Sequence, residues 1–104
     1  MDELFNVEIG GEHGASLRGE LDLSSYDVAA RALTPLFQPG GEVTLDMSGL
    51  SFIDSTGIRL LVQLHQALGD NGRLTLRSPS PQLSRILEIT GIAQLGIGID
   101  ASAG

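Results

Sequence analysis

Cysteine and lysine are both missing from the 104-residue chain: it has no cysteine, and all six of its basic residues are arginine. Without cysteine, disulfides, thiolate catalysis and cysteine-based metal sites are excluded. Without lysine, there can be no Schiff-base chemistry and no complete phosphate-binding P-loop. A receiver-type phospho-aspartate site, which usually relies on a lysine, is also disfavoured. Several classes of enzyme are therefore removed at the outset.

Long apolar runs and an excess of positive charge are missing as well. No stretch approaches the roughly 18–20 apolar residues that span a membrane, and the acidic, alternating N-terminus does not have the pattern of a signal peptide. Thirteen acids against six bases give a net charge of −7, which argues against direct nucleic-acid binding because that binding depends on clustered cations. We expect a soluble cytoplasmic protein, whose acidic surface serves solubility or a basic protein partner.

Hydrophobic periodicity predicts an α/β domain over residues 1–104 with the element order ββαβαβα and a last short strand. Alternating segments predict strands, and segments of helical spacing predict helices that pack on the sheet. The predicted strands cover residues 5–9, 15–21, 43–47, 74–76 and 95–99, with GGEHG (10–14) as the first turn. The predicted helices begin after a Ser24 or Ser25 cap, at residue 56 or 57, and after Ser80. The first of these is interrupted near Pro35, and residues 48–53 are predicted to form a loop.

The triplet Asp54–Thr56 stands between the third strand and the most apolar helix, and three interpretations of it are open. One of its side chains can cap the helix by accepting from free backbone N–H groups. A serine nucleophile would need a base, but His65 lies ten residues into the same helix, roughly 15 Å along its axis. His65 falls among apolar positions, so a structural role is favoured. Alternatively, a hydroxyl at an exposed helix tip can carry a phosphate, which the helix dipole favours.

Other candidate sites have less support. The two histidines, His13 and His65, and the scattered carboxylates lack the spacing of a metal site. Asp46 ends the third strand as a receiver aspartate does, but without lysine or a pair of acids after the first strand we interpret it as solvent-facing. The glycine-rich GIGID segment (96–100) precedes no helix, which makes it a weak phosphate cradle. No cofactor is predicted.

Four segments together resemble STAS domains, specifically the anti-sigma factor antagonists: GELD (19–22), VTLDM (43–47), LSFIDSTGIRLL (50–61) and PSPQLSRILEITGI (79–92). The resemblance covers essentially the whole chain. It implies a mixed sheet of four or five strands with helices mainly on one face. It also implies that Ser55 is the phosphorylation site, and that Asp22, Asp54, Thr56 and Gly57 belong with it to a partner-binding surface.

The same resemblance implies a binding module and no enzymatic activity. Such antagonists bind an anti-sigma factor serine kinase while unphosphorylated and so release a sigma factor. The kinase phosphorylates the serine, the complex dissociates, and a phosphatase reverses the modification. The alternative is a constitutive STAS scaffold, or a subunit of a stress-signalling complex, in which Ser55 only caps its helix.

Overall fold

The computed structural model describes residues 5–10 and 14–101. This part of the chain forms a five-stranded sheet and three α-helices, which confirms the predicted α/β class. The strands are β1 (Asn6–Gly10), β2 (Gly14–Leu21), β3 (Glu42–Ile53), β4 (Arg73–Arg77) and β5 (Gly98–Asp100). The helices are α1 (Tyr26–Leu33), α2 (Ser55–Leu68) and α3 (Pro81–Thr90).

The sheet is mixed, and its strands are arranged in chain order from β1 to β5. β1 and β2 form the predicted antiparallel hairpin, while each later pair of neighbours is parallel. Parallel neighbours require crossover connections, which the three helices provide. The predicted turn at residues 10–14 lies largely outside the described residues.

The hydrophobic core lies on one face of this sheet. Along β2, β3 and β4 the buried side chains alternate with more exposed ones, as in Val43, Leu45 and Met47 of the central strand. Alternation of this kind means that the helices cover one face while the other face stays accessible to solvent. The predicted packing of helices mainly on one face is therefore confirmed.

The central strand is longer than predicted: β3 continues to Ile53, so the prediction of a loop at residues 48–53 is wrong. Ser16 of β2 pairs with Asp46 of β3, and Arg18 pairs with Gly49. Between these two pairs β3 therefore contains one residue more than β2. A second extra residue, Ser51, follows directly. Each bulge adds one residue to the spacing between side chains that face the core. The sequence therefore stops alternating, although β3 continues to pair with β2.

One predicted cap and one other boundary differ from prediction. α1 begins after Ser25, as predicted, but the Ser25 side chain makes no capping bond and instead donates to the carbonyl oxygen of Glu20 at 2.8 Å. The last strand is shorter than expected because Leu95 ends a 3₁₀ turn, Ile92–Leu95. The predicted interruption near Pro35 is confirmed, since α1 ends at Leu33 and a 3₁₀ turn follows.

α2 is covered on two sides, as expected for the most apolar helix of the chain. It lies against β3 and β4 with one side and against α1 with another. The hydroxyl of Tyr26 on α1 donates to Oε1 of Gln63 on α2 at 2.7 Å and links the two helices. Within residues 5–10 and 14–101, no helix combines the length and apolar character needed to cross a membrane.

Candidate partner-binding and modification site

Parallel pairing brings the GELD segment and the DSTG segment (54–57) together at one end of the sheet. The backbone N–H of Asp54 donates to the carbonyl oxygen of Leu21 at 3.2 Å. Asp22 follows Leu21 and Ser55 follows Asp54, so both of these predicted site residues lie next to this hydrogen bond. The sequence separates these residues by more than thirty positions, and the fold makes them neighbours.

Asp54 caps α2. Its Oδ1 accepts from the backbone N–H of Gly57 at 3.0 Å, and its own carbonyl oxygen accepts the first helical bond, from Ile58 at 3.0 Å. The helix therefore begins at Ser55, slightly earlier than the predicted start at residue 56 or 57. Among the three polar residues of the triplet, the capping role thus belongs to the carboxylate.

The Ser55 side chain is exposed at the first position of α2, whereas Thr56 is half-buried. Within the described part of the chain, neither hydroxyl has a hydrogen-bond partner. Ser55 is therefore available to solvent and to another protein, and it serves neither as a cap nor as part of a hydrogen-bonded catalytic arrangement. The hydroxyl stands at the positive end of the helix dipole.

Gly57 allows α2 to approach the sheet closely. A Cβ added there would lie 2.6 Å from Cγ1 of Ile53 and 2.7 Å from the carbonyl oxygen of Leu21. Backbone atoms cannot move aside as a flexible side-chain tip can. Gly57 is itself buried and has no side chain that a partner could contact. Its role in this structure is to let the first turn of α2 pack against the sheet.

Replacing Gly57 by alanine is expected to lower the free energy of unfolding by about 1–3 kcal/mol, the usual cost of overpacking. The helix propensity of alanine opposes this loss by only about 1 kcal/mol. Urea denaturation followed by circular dichroism measures the difference. Gly10→Ala is the matched control, because an added Cβ there meets nothing within 4 Å; equal stability of the two variants would contradict the close approach.

Asp22 organises the loop that follows β2. Its Oδ1 accepts from the Ser24 hydroxyl at 2.7 Å and from the backbone N–H groups of Ser24 and Ser25 at 3.0 and 3.2 Å. Chiefly because of the Ser24 hydroxyl, the pKa of Asp22 is lowered from its usual value. The carboxylate is thus charged at neutral pH and holds the loop in one shape beside the tip of α2.

Two further exposed residues lie close to these segments, and neither was predicted from the sequence as a site residue. Leu23, at the tip of the GELD loop, is 76% exposed despite its apolar side chain. Arg59 lies one helical turn after Ser55, on the same face of α2. Both could have been found in the sequence, because Leu23 is an apolar residue directly after GELD and Arg59 is a basic residue four positions after Ser55.

The other candidate residues form hydrogen bonds with the backbone. His65 makes a 2.9 Å hydrogen bond through Nε2 with the carbonyl oxygen of Leu95, so this nitrogen carries the proton. This favours the structural role predicted for His65. Asp46 is half-buried and accepts from the backbone N–H of Ser48 at 2.9 Å, which lowers its pKa. Among the described residues, no group of three or more potential metal ligands occurs.

A five-stranded mixed sheet with its helices on one face, and a capped helix that begins with an exposed serine at one end of the sheet, are the features expected of a STAS domain. The family model described as "Mlab, STAS domain" matches residues 6–97. The anti-sigma-B factor antagonist of Staphylococcus aureus is 31% identical over 96 residues, which cover 90% of this chain and 82% of that protein. The chain belongs to the STAS domain family, among the anti-sigma factor antagonists.

Solved structures support the same fold. An anti-sigma factor antagonist from Mycobacterium paratuberculosis superposes with a TM-score of 0.72 at 20% identity, over 96% of this chain and 86% of that one. The Bacillus cell fate determinant SpoIIAA, in its phosphorylated form, superposes with a TM-score of 0.63 at 20% identity, over 95% and 93%. At this level of identity the two structures show a shared fold.

Proposed function

We propose that this protein is an anti-sigma factor antagonist controlled by phosphorylation of Ser55. Unmodified, it binds an anti-sigma factor serine kinase through the surface formed by Asp22, Leu23 and the tip of α2, and a sigma factor is released. The kinase then phosphorylates Ser55 and the complex dissociates. A protein phosphatase restores the binding form. The protein acts by binding and is not itself an enzyme.

The observation that carries this proposal is the state of the Ser55 hydroxyl. It is exposed at the first position of α2 and has no hydrogen-bond partner among the described residues, while the neighbouring Asp54 provides the cap. A kinase can therefore reach the hydroxyl without breaking a bond on which the helix depends. This favours the switch over a constitutive scaffold, since that alternative assigns the capping role to Ser55.

A phosphate at Ser55 is compatible with the fold. It adds a charge of about −1.5 to −2 at a helix N-terminus, where the dipole favours an anion by about 0.3–1 kcal/mol at an exposed position. Arg59 is exposed one helical turn after Ser55, and side chains four residues apart on a helix are close enough for its guanidinium to pair with the phosphate. The added charge therefore acts mainly on the docked partner and only weakly on the stability of the host.

The test is phosphate mapping by mass spectrometry after incubation with ATP and the anti-sigma factor kinase of the same organism. We expect one phosphate on the wild type, at Ser55, and none on Ser55→Ala. Thr56→Ala is the matched control, since it removes the adjacent, half-buried hydroxyl and is expected to leave the phosphate in place. Phosphate on Ser55→Ala, or its loss in Thr56→Ala alone, would contradict the assignment.

A further inference from the structure

The second half of β3 has one edge that no described strand covers. β4 pairs with β3 only over Glu42–Asp46, whereas β3 continues to Ile53 along β2. β4 ends at Arg77, where Ser78 takes a left-handed backbone conformation (φ 57°) and its N–H bonds to the carbonyl oxygen of Asp100 at 2.8 Å. The chain then turns into α3 and does not extend the sheet. Unpaired strand edges of this kind accept additional strands.

A groove of about 450 Å³ lies between this edge and the first half of α3. Its walls are mostly apolar: Phe52 of β3 faces Pro81 and Ile86 of α3. Phe52 is 44% exposed although it is aromatic, and the groove volume is in the range of about 300–1,000 Å³ that is usual for binding pockets. An apolar groove beside an open strand edge suits an extended peptide, whose alternate side chains enter the groove while its backbone pairs with the strand.

The positive charge in the groove favours peptides that carry a carboxylate. Arg85 is the one charged side chain lining it, and within the described part of the chain its guanidinium has no carboxylate or carbonyl partner. This cation is exposed on a protein whose net charge is −7. A carboxylate in the peptide would pair with Arg85, and such charge-assisted bonds to arginine are among the stronger polar contacts.

We propose that the groove between β3 residues 49–52 and α3 binds an extended segment of a partner protein, one that carries alternating apolar side chains and a carboxylate for Arg85. The segment adds to the sheet at the β3 edge, with Phe52 and Ile86 contacting its apolar side chains. This site is distinct from the Ser55 surface and does not rest on phosphorylation. It gives the domain a second, sequence-selective contact with a protein partner.

Selection from a displayed library of random heptapeptides tests the proposal on the full chain. Against the wild type we expect enrichment of peptides with apolar residues two apart and an Asp or Glu at a fixed place relative to them. Against Arg85→Glu we expect Lys or Arg at that place. Arg31→Glu, the same change at an exposed position on α1, should select the wild-type pattern. The same pattern from the wild type and Arg85→Glu, or no enrichment, would overturn the proposal.

The synthetic consensus peptide then locates the site. In NMR titration we expect shift changes confined to residues 48–53 and 81–86, and at least a tenfold weaker Kd for Arg85→Glu. Methylating the peptide nitrogens that face β3 should abolish binding, whereas methylation of the alternate nitrogens should not. Binding to Ser55→Asp should equal that to the wild type, which separates this site from the proposed switch. Shifts centred on α2, or a dimer in sedimentation that dissociates in Arg85→Glu, would instead point to another site or to a second copy as the occupant.

Discussion

Replacing Leu61 by alanine is expected to remove about 2–5 kcal/mol from the free energy of unfolding, through lost burial and the cavity left behind. Leu61 is fully buried in the middle of α2, the helix that carries Ser55 at its first position. Domains of this kind are stable by only about 5–15 kcal/mol, so the loss is a large fraction of the total. Urea denaturation followed by circular dichroism measures it.

The matched control is Leu23→Ala, which makes the same chemical change at a side chain that is 76% exposed. We expect its unfolding free energy to stay within about 0.5 kcal/mol of the wild type. The dependence of stability on urea should keep the same slope in both variants, because neither changes how much surface unfolding exposes. Similar losses at the two leucines would mean that α2 is not seated on the sheet as described.

Much of the fold follows from local periodicity. The helical spacing of apolar residues predicts the extent of α2, and alternation predicts the hairpin of β1 and β2, because each pattern records which side chains face the core. Ser80 shows that a cap can be predicted too: its hydroxyl accepts from the backbone N–H of Leu83 at 3.1 Å, directly before Pro81. Where a helix or strand is regular and buries one face, its sequence is sufficient to predict it.

The site could be predicted only in part, because its geometry depends on contacts between distant segments. The bulges in β3 break the alternation on which strand prediction relies, so its last six residues resemble a loop. The hydrogen bond between Asp54 and Leu21 follows from the pairing register of β2 and β3, which spacing alone does not fix. Capping by Asp54 rather than by a hydroxyl depends on side-chain orientation at the helix start.

Ser55→Asp is expected to weaken binding of the anti-sigma factor kinase by roughly 30-fold or more, if the kinase docks on the surface that includes Ser55. A negative charge that meets an acidic or an apolar contact of the kinase costs several kcal/mol through repulsion or lost solvation, and about 2 kcal/mol already corresponds to that factor. The fold should not suffer, because an acid in the first turn of a helix is favourable by about 0.3–1 kcal/mol. Asp54 and residue 55 are adjacent, so their side chains do not face each other on the helix.

Calorimetry of the kinase complex, together with urea denaturation of the free protein, separates these two effects. Ser55→Asn is the matched control, since asparagine has nearly the size of aspartate and no charge. We expect the neutral variant to bind within a few-fold of the wild type while the aspartate variant does not. Equal weakening by both would assign the effect to size, and undiminished binding by Ser55→Asp would remove Ser55 from the contact. Only loss of affinity with retained stability supports a charge that acts between two proteins, because a charge that merely damaged the fold would lower both.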